Sequence, residues 1–136
     1  MQLTLIKNDD EAKIVLYKLA RIIHAETRAS SLPAVEALAS MIGNLRCKSI
    51  RQLEDIAADE LIFESLDKNS VRHTDLLIDS ADPKFQMCLR AVKRMTGGQL
   101  PDSVRGATKF HRAENSPDWA NTCGYVAEID GLLFYL

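Results

Sequence analysis

The sequence lacks long apolar runs and long basic runs. No window approaches the roughly 18 apolar residues that a membrane-spanning helix needs, so we expect no membrane insertion. The formal net charge is −2 and the basic residues are scattered, which gives no positive field to attract nucleic acid or anionic lipid. Residues 1–10 lack the basic start, apolar stretch and small-residue cleavage site of a signal peptide. The sequence therefore predicts no nucleic-acid partner, no membrane segment and no export signal.

Cysteines are few, and none belongs to a C-x-x-C pair. Cys47, Cys88 and Cys123 are odd in number and widely spaced. Free thiols in a reducing compartment are the favoured interpretation, and one disulfide with one free thiol is the alternative. Nothing in the local sequence marks any of the three as an activated nucleophile.

Motifs for metal and cofactor binding are also missing. His24 and Glu26 form an H-x-E pair, but the P-C-x-x-C that a zinc deaminase requires does not follow. No histidine pair has a tight ligand spacing such as H-x-x-x-H, and G-x-S-x-G, Walker A and G-x-G-x-x-G do not occur. The sequence predicts no metal, no cofactor and no nucleotide.

What the sequence does have is the composition of one globular domain over residues 1–136, with 46% hydrophobic and 26% charged residues. Capping residues, prolines and glycines delimit four predicted helices. They run from a cap among residues 8–10 to about 28, from 33 along an apolar stripe that reaches 45, from a capping box at 49–52 to about 58, and from 82–83 to 97–98.

The remaining segments are shorter. Residues 59–80 contain apolar runs that periodicity cannot classify, and they are candidates for a flap over a cleft. Near the end, Asp130-Gly131 separates two strand-like runs, 125–129 and 132–135, which is a strong hairpin pattern. The sequence therefore predicts an α+β fold that is predominantly helical, with a small C-terminal β-hairpin.

A carboxylate continues the apolar stripe of the first helix. Val15, Leu19, Ile22 and Glu26 follow one another at helical spacings of four, three and four residues. Desolvation on such a stripe favours the protonated form of a carboxyl group, which is the form that a general acid needs. The alternative is a glutamate at a helix end that turns out to solvent.

An aromatic segment forms a second candidate feature. Residues 106–111 read as a short extended run that ends in Phe110 and His111, and Trp119 follows in a Pro-Asp-Trp-Ala sequence. Sugars present C–H faces to aromatic rings and hydroxyls to polar side chains, so this segment suits a sugar-binding pocket. An ordinary strand and loop with Trp119 as a core anchor is the alternative.

Together these segments resemble the spore-cortex-lytic type of bacterial cell-wall hydrolase, a family with a lysozyme-like catalytic domain. Residues 19–28 look like the family stretch that ends in A-E-A-R, and residues 37–44 look like its following helix. Residues 106–111 and 117–120 look like its G-A-T-x-[FY]-[HY] and P-x-W segments. Residues 129–135 look like its closing I-G-x-H-x-F-Y. The four matches occur in the family's order and cover most of the chain.

The sequence departs from the family pattern at five positions. Ser30 and Ser31 stand where the family often has a second acidic residue, and Leu45 replaces an arginine. Near the end, Asp130 replaces a glycine and Leu132 a histidine. None of these departures changes the position that aligns with the family's catalytic glutamate.

The resemblance implies cleavage of peptidoglycan between N-acetylmuramic acid and N-acetylglucosamine, with Glu26 as the general acid. No convincing second carboxylate is evident, so a lytic transglycosylase, in which the muramic acid 6-hydroxyl attacks its own anomeric carbon, is favoured over a glycosidase with two carboxylates. Asn44 is expected to orient Glu26 or its neighbouring loop. The expected substrate-binding residues are Asn44, Thr108, Phe110, His111 and Trp119.

Three alternatives remain open. One is a hydrolytic muramidase on the same bond, assisted by Glu114 or Asp118. Another is a non-catalytic glycan-binding or scaffold domain, which the departures at Ser30 and Leu132 favour. The third is a protein–protein module that retains only the fold. We expect a monomer whose partners are peptidoglycan glycan strands, held in the cytoplasm until it is released to the wall, or else a chain trimmed of its export signal.

Overall fold

The computed structural model describes residues 9–136, with side chains from residue 11 onward. This part of the chain contains four α-helices: α1 (Asp9–Thr27), α2 (Leu32–Asn44), α3 (Ile50–Ile56) and α4 (Pro83–Thr96). They correspond to the four predicted helices, with ends that differ by a few residues. Two predictions fall outside the residues described with side chains. They are the cap of α1 among residues 8–10 and the absence of an export signal in residues 1–10.

Side chains cap the later helices as the sequence predicts. Ser31, Ser49 and Asp82 each accept a backbone N–H from the first turn of α2, α3 or α4, at 3.3, 3.2 and 2.9 Å respectively. The predicted capping box is half formed, because Gln52 accepts the backbone N–H of Lys48 at 2.7 Å, where a capping box would use that of Ser49.

The core lies where α1 and α2 pack against α4. Val15, Leu19 and Ile22 of the predicted α1 stripe are buried. The predicted α2 stripe is buried too, except Leu45, which ends the helix and is half-buried. The core positions predicted for α4 are all buried: Phe85, Cys88, Leu89, Val92 and Met95.

The chain ends in a three-stranded antiparallel sheet with the order β1-β3-β2, formed by β1 (Lys109–Arg112), β2 (Tyr125–Ile129) and β3 (Leu132–Tyr135). The predicted hairpin is present as β2 and β3. Asp130 and Gly131 both have positive φ, 53° and 83°, as a type I′ turn requires. The sheet is larger than the predicted hairpin, because β1 pairs with the other side of β3. That partner lies about twenty residues away, so no local pattern indicates it.

Residues 59–80 form two short 3-10 helices, Glu64–Leu66 and His73–Leu77, which pack against α1. Phe63 is fully buried and anchors the segment in the core. The Nδ1 atom of His24 in α1 lies 3.0 Å from the carbonyl oxygen of Asp75, which ties the second 3-10 helix to α1. The segment thus lies against the end of α1 that carries Glu26.

All three cysteines are free thiols. Cys47 and Cys88 are buried, and Cys123 is partly exposed. Within residues 9–136, no helix has the length and apolar character needed to cross a bilayer.

Candidate functional site

A cleft of about 530 Å³ opens beside the C-terminal end of α1. Residues 60–62 and 64 form one wall, and β1 with residues 114–117 and 119 forms the other. Glu26 also lines this cleft. The cleft therefore brings together the two features that the sequence singles out, the carboxylate of α1 and the aromatic segment.

Glu26 is buried in the last turn of α1, and its side chain has 0% relative exposure. One carboxylate oxygen, Oε2, accepts the backbone N–H of Ser65 at 2.8 Å. The other, Oε1, accepts a charged hydrogen bond from Nη2 of Arg112. The alternative in which Glu26 turns out to solvent is wrong. The predicted burial is present, but it comes with a cationic partner that the sequence did not indicate.

Arg112, the last residue of β1, bridges two carboxylates. Besides Glu26, its Nη1 lies 3.4 Å from Oε1 of Glu64. The side chain of Arg112 is 6% exposed and that of Glu64 is 45% exposed. Within the described residues, the buried Nε of Arg112 has no hydrogen-bond partner.

A second arginine, Arg72, provides hydrogen bonds to carbonyl groups in the last turn of α1. Nη1 of Arg72 donates to the carbonyl oxygens of Ala25 and Glu26, at 3.2 and 3.3 Å. Cationic side chains at this position interact favourably with the C-terminal end of a helix dipole. Burial lowers the pKa of Arg72, and the positive charges of Arg112 and Arg28 lower it further. Three guanidinium groups thus gather around the helix end that carries Glu26.

The aromatic wall of the cleft is a packed cluster. The rings of His111 and Tyr135 are stacked with centroids 5.3 Å apart, and Trp119 meets both rings edge-on at 5.7 and 5.2 Å. Nδ1 of His111 lies 2.7 Å from the carbonyl oxygen of Arg112, and Nε2 lies 3.0 Å from the Tyr135 hydroxyl. A carbonyl only accepts, so Nδ1 carries a proton and donates to it, and Nε2 forms a second hydrogen bond with the Tyr135 hydroxyl. These contacts fix the orientation of the histidine ring.

The predicted substrate-binding residues are divided between the cleft, an adjoining groove and the backbone support of β1. Phe110, His111 and Trp119 line it together with Glu26. Thr108 lines an adjoining groove, which also includes Phe110 and Trp119. Asn44 is not among the residues that line the cleft or the groove, and its Nδ2 donates to the carbonyl oxygen of Ala107 at 3.0 Å. Asn44 therefore holds the backbone that leads into β1.

Of the two carboxylates named for a hydrolytic alternative, Glu114 lines the cleft and Asp118 is not among its lining residues. The structure adds Glu60 and Glu64 to the cleft wall. Neither was predicted, because residues 59–80 carry no periodicity that assigns a face to their side chains.

Arg112 was missed as well, although the sequence contains an indication of it. Successive side chains of a strand point to opposite faces, so Phe110 and Arg112 lie on the same face of β1. A charged residue on the apolar face of a strand resembles Glu26 on the apolar stripe of α1. Opposite charges on two otherwise apolar faces are candidates for a buried ion pair.

Three residues at which the sequence departs from the pattern that it resembles contact one another in the structure. The hydroxyls of Ser30 and Ser31 donate to Oδ2 of Asp130 at 3.2 and 2.6 Å. Leu132 is 4% exposed and belongs to the hydrophobic core. Ser30, Ser31 and Asp130 thus connect the start of α2 to the β2–β3 turn.

Within the described part of the chain, no group of three or more His, Cys, Asp or Glu side chains is placed to hold a metal ion. Comparisons with protein-family models, with curated proteins and with solved structures each found no significant match. The family resemblance of the sequence remains a prediction.

Proposed function

We propose that this protein is a lysozyme-like enzyme that cleaves peptidoglycan glycan strands between N-acetylmuramic acid and N-acetylglucosamine, as a lytic transglycosylase with Glu26 as its general acid and base. One observation carries the proposal: Glu26, whose carboxylate is buried, borders the cleft that Phe110, His111 and Trp119 also line. A cleft that combines polar and charged side chains with aromatic rings can bind both the hydroxyls and the C–H faces of a chain of sugars.

In the proposed reaction, the protonated Glu26 carboxyl donates its proton to the glycosidic oxygen as the bond to the anomeric carbon breaks. The 6-hydroxyl of the same muramic acid then attacks that carbon and returns its proton to Glu26. The products are a 1,6-anhydro sugar end and a free hydroxyl on the departing sugar, and no water is consumed. This chemistry needs one carboxyl group and a well-held substrate.

Arg112 sets a condition on this mechanism. Its ion pair occupies Oε1 of Glu26, an oxygen of the carboxyl group that has to reach the glycosidic oxygen in the first step. Glu64 is a second acceptor that Arg112 already reaches, at 3.4 Å. In the proposed cycle, glycan entering the cleft shifts the guanidinium toward Glu64. That shift frees Oε1 of Glu26 to face the glycosidic oxygen.

The first test measures soluble fragments released from purified peptidoglycan by the wild-type protein and by Glu26→Gln. We expect the substitution to reduce release by at least about 100-fold, because it removes the proton donor. Glu128→Gln on the exposed face of β2 is the matched control and should retain activity. A double variant, Glu26→Gln with Arg112→Met, removes both charges and separates loss of chemistry from the effect of an unpaired arginine.

Mass spectrometry of the digest distinguishes two reactions. Anhydromuramic ends support transglycosylation, whereas reducing ends indicate a hydrolytic muramidase that uses a second carboxylate such as Glu114. Full activity of Glu26→Gln would overturn the assignment of the acid.

A second candidate is a non-catalytic glycan-binding domain. The absence of any exposed surface on the Glu26 side chain, together with its ion pair, favours this candidate. It predicts that insoluble wall retains the wild-type protein while no soluble fragment appears. A protein–protein module that retains only the fold predicts no retention on the wall at all.

A further inference from the structure

A groove of about 270 Å³ continues the cleft past the aromatic wall. The two share Leu61, Ile62, Phe110 and Trp119 in their walls, so a single extended ligand can occupy both. Met41 contributes further apolar surface to the groove. The groove therefore adds an apolar extension to a cleft whose own walls carry several charges.

The charges of the two regions have opposite signs. The lining of the cleft includes four carboxylates, those of Glu26, Glu60, Glu64 and Glu114, and one guanidinium. Among the described residues that line the groove, Lys109 alone carries a charge. An anionic group would be repelled by most of the cleft and attracted to the groove.

Lys109 is the first residue of β1, and its contacts hold its ammonium group at the groove. Nζ lies 3.2 Å from Sγ of Cys123 and 5.9 Å from the ring centroid of Trp119. An ammonium has three N–H donors, and a thiol sulfur is a weak acceptor, so donors remain for a stronger partner.

We propose that this groove binds the carboxylate-bearing substituent of the glycan, with Lys109 as its ionic partner. On muramic acid the carboxylate comes from the lactyl ether or from a peptide attached to it. The apolar part of the substituent packs against Met41, Ile62 and Phe110. This inference rests on the proposed function, since it assigns a subsite next to the proposed catalytic cleft. It also orients the glycan, because the substituted sugar must face the groove.

The test is a binding titration that does not depend on cleavage. Trp119 is the single tryptophan of the sequence and lines the groove, so its fluorescence reports occupancy. Three disaccharides without the scissile bond serve as probes. They are a neutral N-acetylglucosamine dimer, N-acetylglucosaminyl-N-acetylmuramic acid with a free lactyl carboxylate, and the same disaccharide carrying its peptide.

We expect a carboxylate-bearing disaccharide to bind about threefold to fivefold more tightly than the neutral dimer. Lys109→Gln should abolish this preference, and Lys109→Glu should reverse it. Lys84→Gln, an exposed lysine at the start of α4, is the matched control and should preserve it. If both carboxylate-bearing disaccharides bind more tightly than the neutral dimer, the lactyl carboxylate is sufficient for binding in the groove. If only the disaccharide that carries its peptide does so, the peptide supplies the carboxylate.

Equal affinity for all three probes, or a preference that survives Lys109→Gln, overturns the inference. Failure of the proposed enzyme function has a different signature, since the preference would then persist while purified peptidoglycan releases no fragments.

Discussion

The guanidinium of Arg112 forms a buried ion pair with the carboxylate of Glu26, although 86 residues separate them in the chain. Their side chains are 6% and 0% exposed. The pair connects the end of α1 to the end of β1. A buried pair of this kind loses hydration when it forms, and removal of one partner leaves the other charge uncompensated.

The first prediction concerns this pair. Arg112→Met should lower the free energy of unfolding by about 3 kcal/mol at pH 7, because Glu26 then stays buried with only the Ser65 N–H as a partner. Urea unfolding at pH 7 measures the effect.

The surface pair of Arg94 and Glu36, 3.0 Å apart with side chains 47% and 26% exposed, provides the control. Arg94→Met should cost at most about 1 kcal/mol, since exposed ion pairs contribute little. If Arg112→Met and Arg94→Met lower the free energy of unfolding equally, burial does not increase the energetic cost of breaking the pair of Glu26 and Arg112.

A second prediction tests whether Asn44 positions the groove backbone or contacts the glycan directly. Asn44→Ala removes the hydrogen bond to the carbonyl oxygen of Ala107 and should cost about 1 kcal/mol of stability. Because that bond holds the segment before Thr108, we expect glycan affinity to fall a few-fold and kcat to change little. Titration with soluble glycan and steady-state kinetics make the comparison, with exposed Asn69→Ala as control. A collapse of kcat with unchanged affinity would contradict the positioning role.

The third prediction tests the β2–β3 turn. Gly131 has φ of +83°, and a Cβ added there meets no atom within 4 Å. Gly131→Ala should therefore lower stability by about 1 kcal/mol through backbone strain alone. Gly131→Asn should cost less, because asparagine tolerates the left-handed region. Thermal unfolding of the three proteins provides the measurement, and equal stability of the alanine variant would argue against this turn geometry.

The fourth prediction concerns the thiols. Burial raises the pKa of Cys88 from 9.0 to about 12, and burial followed by the charge of Asp55 raises the pKa of Cys47. The thiolate is the reactive form, so both should react slowly with an aromatic disulfide reagent at pH 8 in the folded protein. Partly exposed Cys123 should supply the fast phase.

The variant Cys123→Ser identifies that phase, since it should remove the fast reaction and leave the slow ones. Denaturant should make all three thiols of the wild type react rapidly. Stability should also decline as pH rises above 9.0, because the unfolded Cys88 thiol then ionises and the folded one does not. A fast phase that persists in Cys123→Ser would contradict the assignment.

Local patterns predicted the helices, because their determinants lie within a few residues of one another. Ser31, Ser49 and Asp82 cap their helices in the structure, and Gly131 completes the turn. The stripe that ends in Glu26 is buried for the same reason, since helical periodicity puts every fourth or third residue on one face. These features depend on sequence order alone.

Tertiary structure decided which distant residues pair with one another. The pairing of β1 with β3, the approach of Ser65 to Glu26 and the ion pair with Arg112 join segments that are distant in the chain. The sequence by itself determined that a carboxylate would continue the apolar stripe of α1 and that aromatic residues would lie close together on a later segment. Only the folded chain decided that a guanidinium would neutralise that carboxylate, because long-range contacts depend on how the elements pack, which local periodicity does not encode.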